Sequence, residues 1–264
     1  MLILLSPAKT LDFEPAPRDL PATKPVFTAE ANKLAKRVAE LSPAQLKKLM
    51  SVSDKLAEAT HEFYATRKSK WDAKGAKQAA IAFKGDVYQG LDADSLTSKQ
   101  LDNAQTHLRI LSGLYGVLKP LDLIQPYRLE MGSKLKNDRG KDLYAWWGDS
   151  VTESLAEDLA EATPRGKEPV VVNLASNEYW SVVKPKQLEA RVVTPAFKDK
   201  KGGQYKMISF FAKQARGMMA RHLIQSRSAG DKAIESFASA GYRYNEKLSS
   251  PDGPVFTRDS APGS

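Results

Sequence analysis

The sequence predicts an α+β protein: a mixed central β-sheet or strand bundle surrounded by helices, in a single domain. Three observations carry this. Short apolar runs of strand length recur from residue 2 to residue 209, amphipathic stretches with N-cap signals lie between them, and no charged or glycine-rich linker divides the 264 residues into halves. With 42% hydrophobic residues the chain can fill a core.

Leu2-Ile3-Leu4-Leu5 is an apolar run ended by Ser6-Pro7, the pattern of a buried strand that delivers Ser6, Lys9 and Thr10 to a sheet edge. Pro15, Pro17, Pro21 and Pro25 make the next stretch extended and irregular. Thr28 caps a helix running to about Leu41, and Ser42-Pro43 supplies an N-cap with proline at the first position of another. Further helices are expected at 54–68, 97–112, 149–162, 209–227 and 231–240, and strands at 79–84, 169–175, 190–197 and 204–209. From about Ser249 the chain is rich in Pro, Gly and Ser and reads as a mobile tail.

The chain has no cysteine, which excludes disulfides, thiolate metal sites and cysteine-based peroxide chemistry and points to a reducing compartment. MLILLSPAKT lacks a charged leader and an apolar stretch of signal-peptide length, and no segment approaches the roughly 20 apolar residues of a membrane span. A cytoplasmic protein is expected. The net charge of +9 and a pI near 9.5 favour a polyanionic partner.

Most of that charge falls between Lys198 and Arg227, where eight basic residues face one acid, Asp199. At about 100° per residue, the helix from Ser209 places Phe211, Ala212, Ala215, Met218 and Met219 on one arc and Lys213, Arg216 and Arg227 on the other. Such an arc is either an ordinary solvated face or a phosphate-binding one. Gly217 beside it costs helix propensity, which hints at close approach by another backbone or a ligand.

Lys47, Lys48, Met50, Ser51, Val52, Ser53, Asp54 and Lys55 lie in a helix, tight turn, helix pattern over residues 43–66 that resembles a helix-hairpin-helix. In that motif turn amides and the start of the second helix hold a phosphate. Serine stands at both positions where the motif has glycine, and the alternative is a plain helical hairpin whose Leu46, Leu49, Val52 and Leu56 serve the core. Leu111 to Gly116 superficially repeats the pattern, but Pro120 would break a helix starting at Gly116, so a glycine turn is expected, flanked by Arg109, Lys119 and Arg128. Two polar sets leave predicted strands: Asp86 and Tyr88 after Phe83-Lys84, and Asn173, Ser176 and Glu178 after Val170-Val171-Val172. Ligands bind at such positions in α/β sheets, although Ser176 or Asn177 could equally cap a helix. His61, His107 and His222 are isolated and form no metal signature, and no cofactor fingerprint is present.

Together SPAKT at 6–10, FKGDVYQGL at 83–91, RILSGLYGVLKPLDLIQPYRLEMG at 109–132, NLASNEYW at 173–180 and ARGMMARH at 215–222 resemble the YaaA peroxide-stress protein family over nearly the whole chain. The resemblance implies bacterial cytosolic proteins of the hydrogen peroxide response, linked to lower free iron and protection of DNA. It also implies strands surrounded by helices, a helix-hairpin-helix, and a positive cleft for duplex and distorted DNA. Mapped here, the cleft comprises Ser6, Lys9, Thr10, Asp86, Tyr88, Arg109, Arg128, Asn173, Ser176, Glu178, Lys198, Lys213 and Arg216, and the hairpin Met50 to Lys55. Sequence-independent DNA binding is the first expectation. The alternative is an enzyme acting on damaged nucleic acid or a nucleotide, with Lys9, Asp86, Glu178 and Lys198 as catalytic candidates, since paired lysines and carboxylates shift each other's pKa. Direct iron binding through Asp86 and Glu178 lacks any di-iron spacing.

Overall fold

The computed structural model describes residues 1–15, 18–226 and 230–260. Its centre is a five-stranded sheet in the order Gly116–Leu118, Leu108–Ser112, Leu2–Leu5, Val170–Asn173, Arg191–Val193. The last four strands of that order run parallel, and Gly116–Leu118 is an antiparallel edge. Leu2–Leu5 lies in the middle and is buried at every residue, as a strand covered on both faces demands. Helices Ser150–Ala162 and Ser209–Gln225 pack against it.

A second sheet of four strands has the order Gln204–Lys206, Ala196–Lys201, Val255–Arg258, Arg243–Tyr244. Its hairpin turns through Gly202 and Gly203, both at positive φ (61° and 77°), which favours a tight two-residue connection. Helix Ser209–Gln225 leaves this sheet, packs on it, and crosses helix Asp86–Leu91. Gly90 and Gly217 permit that crossing: a Cβ on Gly217 would lie 1.8 Å from the Val87 carbonyl oxygen, and one on Gly90 would lie 2.2 Å from that of Gln214. The close approach implied by Gly217 is therefore to backbone.

The structure corrects several expected elements. The helix expected over 97–112 stops at His107. Thr97 starts it with a capping box to Gln100, but Leu108–Ser112 pairs with Leu2–Leu5, and sheet pairing of a wholly buried segment overrides helical continuation. The strand expected over 79–84 is a helical turn, Ala79–Ala82, followed by the short strand Phe83–Lys84 paired with Thr10–Leu11. The apolar segment 190–197 divides between the two sheets. The helix expected over 231–240 ends at Glu235. The stretch from Ser249 is not wholly a mobile tail, because Val255–Arg258 is a buried strand between two others. Pro17, Arg227 and residues 261–264 lie outside the described residues.

Pro43–Met50 and Asp54–Thr66 form a helical hairpin. Ser42 caps the first helix in a capping box with Gln45, and Ser53 caps the second by accepting from the Leu56 amide. Between them Ser51 is left-handed (φ 52°, ψ 52°), so the first of the two serines occupies a conformation that glycine would adopt more readily, whereas Ser53 is extended. Leu46 is buried, and Leu49 and Val52 pack partly against the core.

Candidate functional site

The chain passes from Leu2–Leu5 to Leu108–Ser112 on one side of the central sheet, then returns past Leu2–Leu5 to Val170–Asn173 on the other. The carboxyl ends of Leu2–Leu5 and Val170–Asn173 thus flank a topological switch point, where the connecting loops part and leave a crevice. Ser6 and Ser176 close its floor. The Ser6 hydroxyl accepts from the Ser176 amide at 2.9 Å and lies 3.3 Å from its hydroxyl, while Tyr88 donates to the Ser6 carbonyl at 3.0 Å.

Above this floor is a cavity of about 560 Å³. Ser6, Lys9 and Thr10 line it from the first strand's loop, Ser176 and Glu178 from the loop and short helix after Val170–Asn173, Asp86 from one crossing helix, and Lys213 and Arg216 from the other. Arg128 and Glu130 complete it, with the aromatic rings of Tyr127 and Tyr179. Lys84 also lines it. Five cationic side chains meet three carboxylates, so the lining is net positive.

The cations are not equivalent. Lys9 pairs with Glu130 at 3.0 Å, and Lys84 lies 3.6 Å from Asp12 and 3.3 Å from Asp94. Arg128 donates to the Lys9 carbonyl. Lys213 and Arg216, by contrast, have no acidic partner among the described residues. Arg216 is half-buried, and its guanidinium pKa is lowered by desolvation alone, with no carboxylate offsetting the cost. A guanidinium stays cationic at neutral pH even so, and a desolvated, unpaired one favours an anion. The Asp86 carboxylate is likewise without a hydrogen bond or ion pair among the described residues. Glu178 accepts from the Gly132 amide at 2.9 Å, and a Cβ on Gly132 would lie 3.0 Å from that same carboxylate oxygen.

Of the thirteen residues assigned to the cleft, nine line this cavity: Ser6, Lys9, Thr10, Asp86, Arg128, Ser176, Glu178, Lys213 and Arg216. Tyr88 and Asn173 lie beneath it as supports. Tyr88 is buried with its hydroxyl on Ser6, and the Asn173 carboxamide accepts from the Ala175 amide to shape the loop. Lys198 is half-buried on the second sheet and does not line the cavity. Arg109 is displaced most. It lies on a central strand rather than a helix, donates to Asp158 at 2.6 Å, and lines another depression with Lys119 at the amino-terminal ends of the parallel strands. Burial pushes the Asp158 carboxyl up, but hydrogen bonds and charge from Arg109, then Lys119, outweigh it and hold it below the ordinary range.

A groove of about 590 Å³ runs beside the helical hairpin, lined by Arg37, Lys48, Ser51, Lys134 and Lys136 with Leu41, Leu49 and Leu135 among its apolar walls. No acid lines it. Gly132 contributes to this groove and donates to Glu178 of the cavity, so the two depressions are one hydrogen bond apart. Reading the sequence missed Lys134, Lys136 and Arg37. The available signal was the string Ser133-Lys134-Leu135-Lys136, alternating basic and apolar directly after the motif at residues 109–132. In the hairpin itself Lys47 pairs with Asp54 at 2.8 Å, and the amides of Ser51 and Val52 both bond to the Lys47 carbonyl. The amides of Ser51 and Val52 are thus used within the first helix's end, and the donors left over are those of Ser53, Asp54 and Lys55 at the start of the second. Lys55 is exposed, and Met50 is half-buried against the core.

No helix among the described residues is long and apolar enough to cross a membrane, and no group of three or more His, Asp or Glu side chains among them is arranged to hold a metal ion. Comparison with known proteins places the chain in a family. The family described as peroxide stress protein YaaA matches residues 1–248. A protein of Shewanella loihica named UPF0246 protein is 52% identical over 98% of this chain and 99% of its own. Proteins of the same name from Cellvibrio japonicus and Burkholderia multivorans are 51% and 49% identical, over 98% of this chain and 99% and 98% of theirs. With a match over nearly its whole length and relatives identical at half their positions, this chain belongs to the peroxide stress protein YaaA family.

Proposed function

We propose that the protein binds double-stranded and distorted DNA without regard to sequence, as part of a bacterial response to hydrogen peroxide. The observation that carries this reading is the pair of unneutralised cations, Lys213 and Arg216, in a cavity that adjoins a groove lined by four basic residues and no acid. Phosphate contacts of this kind position a duplex but carry no base information. The hairpin serves as a helix-hairpin-helix anchor through the Asp54 and Lys55 amides and the exposed Lys48, with Lys47 neutralising the Asp54 carboxylate that would otherwise repel a phosphate. The family description supports the stress setting. Protection of DNA follows from occupancy of its backbone, and a link to free iron would then be indirect, with no group of three His, Asp or Glu side chains arranged to hold a metal ion among the described residues.

The test is equilibrium binding to plain, bulged and mismatched duplexes across a salt series. The logarithm of the affinity should fall linearly with the logarithm of salt, with a slope of about −0.9 for each neutralised phosphate. Lys48→Ala, Lys134→Ala and Lys136→Ala should each reduce that slope by about one and weaken all duplexes alike. Lys213→Glu combined with Arg216→Glu should weaken binding further. Unchanged affinity in the folded double variant would remove the cavity from the interface.

A further inference from the structure

We propose that the cavity at the switch point receives a single phosphorylated nucleoside, its phosphate on Arg216 and Lys213 and its base against Asp86, Tyr127 and Tyr179. The inference rests on the reading of this cleft as a nucleic-acid surface and narrows what enters it.

Size is the first argument. A volume of about 560 Å³ falls within the roughly 300–1,000 Å³ of small-molecule sites, whereas an intact duplex, whose major groove alone is about 12 Å wide, can only lie across its mouth. Place is the second, since crevices at the carboxyl ends of parallel strands on either side of a switch point are where such sheets hold nucleotides and similar ligands. Charge is the third. Arg216 has surrendered much of its hydration without gaining a carboxylate, so a dianionic phosphate supplies the partner that the protein does not. Lys213, one helical turn earlier and exposed, reaches the same group from the rim.

The remaining lining suits a base. Tyr127 and Tyr179 are almost fully buried and line the wall, where they offer a base apolar contact rather than an open stacking face. Asp86 presents an unpaired carboxylate, which accepts a hydrogen bond from an exocyclic amine; adenine, cytosine and guanine carry one and thymine does not. Two sources can supply the same chemical unit: a free mononucleotide, or a nucleotide swung out of a bulged or damaged strand whose backbone lies on the adjoining groove.

The experiment is calorimetric titration of the full chain with 2′-deoxyadenosine 5′-monophosphate, with deoxyadenosine, inorganic phosphate and thymidine 5′-monophosphate alongside. Deoxyadenosine monophosphate should bind at least tenfold more tightly than deoxyadenosine or phosphate and several-fold more tightly than the thymidine nucleotide. Arg216→Gln should weaken it at least tenfold, Lys213→Gln less, and Asp86→Asn should abolish the preference over thymidine. Lys213 is exposed, so its variant remains informative if Arg216→Gln does not fold. A bulged duplex that displaces the bound nucleotide better than a plain duplex of equal length identifies the strand as the source; equal or no displacement identifies free nucleotides. Absence of nucleotide binding by the folded protein, or binding unaffected by both cation variants, overturns the inference. Plain-duplex binding is scored separately: its persistence without nucleotide binding defeats only this inference, and its absence beside nucleotide binding defeats only the DNA reading.

Discussion

Ser51 holds the hairpin turn at φ 52°, a region in which a side chain crowds the following carbonyl. Ser51→Gly should therefore stabilise the protein by up to about 1 kcal/mol, a rise of roughly 2–4 °C in melting temperature for a chain of this size. No rise in a thermal melt would show that glycine's extra freedom in the unfolded chain offsets the relief. A second residue sets a pH response. Burial pushes the His107 pKa down, partly offset by its 2.9 Å hydrogen bond to the Met1 carbonyl, so the folded state favours the neutral ring. Between the depressed folded pKa and the ordinary value near 6.5 the unfolded chain binds more protons, so this contribution is complete above about pH 6.5 and is lost as pH falls towards the folded pKa. Urea denaturation at pH 7.5 and pH 5 should show a loss that is smaller in His107→Gln. At this scale the sequence was readable where a side chain's role follows from its neighbours in the chain. Ser6 was found because it directly follows an apolar run, and Lys9 and Glu178 because they lie a few residues beyond one. Arg109 was misplaced because its partner, Asp158, is 49 positions away.

Among elements, the crossing of Asp86–Leu91 with Ser209–Gln225 controls the site, since it brings Asp86, Lys213 and Arg216 to one cavity. The two helices approach so closely that a methyl group on residue 217 would meet the Val87 carbonyl oxygen. Gly217→Ala must push them apart, at a cost of about 1–3 kcal/mol or more, and should weaken DNA binding in protein that remains folded. Thermal melts and duplex titrations of the same preparation measure both. A stability loss with unchanged affinity would mean that the cavity does not depend on the crossing. The basic arc of the longer helix was legible from its spacing, and so was the unusual glycine beside it. Its partner was not, because Asp86–Leu91 is six residues long and opens after a glycine at φ 135°, too short for a helical period to emerge. The same limit hid the strand Leu108–Ser112, whose apolar run continues a capped helix without punctuation.

On the scale of the molecule, the second sheet braces the long helix. Arg258 donates to Asp199 at 2.6 Å, Tyr242 donates to the same carboxylate at 2.8 Å, and the guanidinium stacks over the rings of Phe211 and Tyr242. Arg258 and Asp199 are both almost fully buried, so removing either charge strands the other. Arg258→Leu or Asp199→Asn should cost about 3–5 kcal/mol, and because Phe211 is on the helix that carries Lys213 and Arg216, nucleic-acid affinity should fall with stability. Denaturant titration with parallel binding measurements checks this; a stability loss confined to the sheet, with full affinity, would uncouple the two. The single-domain α+β reading came from strand-like runs scattered along the chain, and the interleaving they implied is present. What they could not give was strand order, which depends on pairings such as Ala196–Lys201 with Val255–Arg258 across dozens of residues. That pairing also has a temporal consequence. A ribosome delivers residues in sequence, so Ala196–Lys201 emerges well before the strand that will lie beside it, and its open edge must wait with the lysine-rich hairpin attached. The wall of the cleft that carries Lys213 and Arg216 is therefore among the last parts of the fold to be secured, and a nascent chain stalled before residue 255 would present basic residues without the brace that positions them.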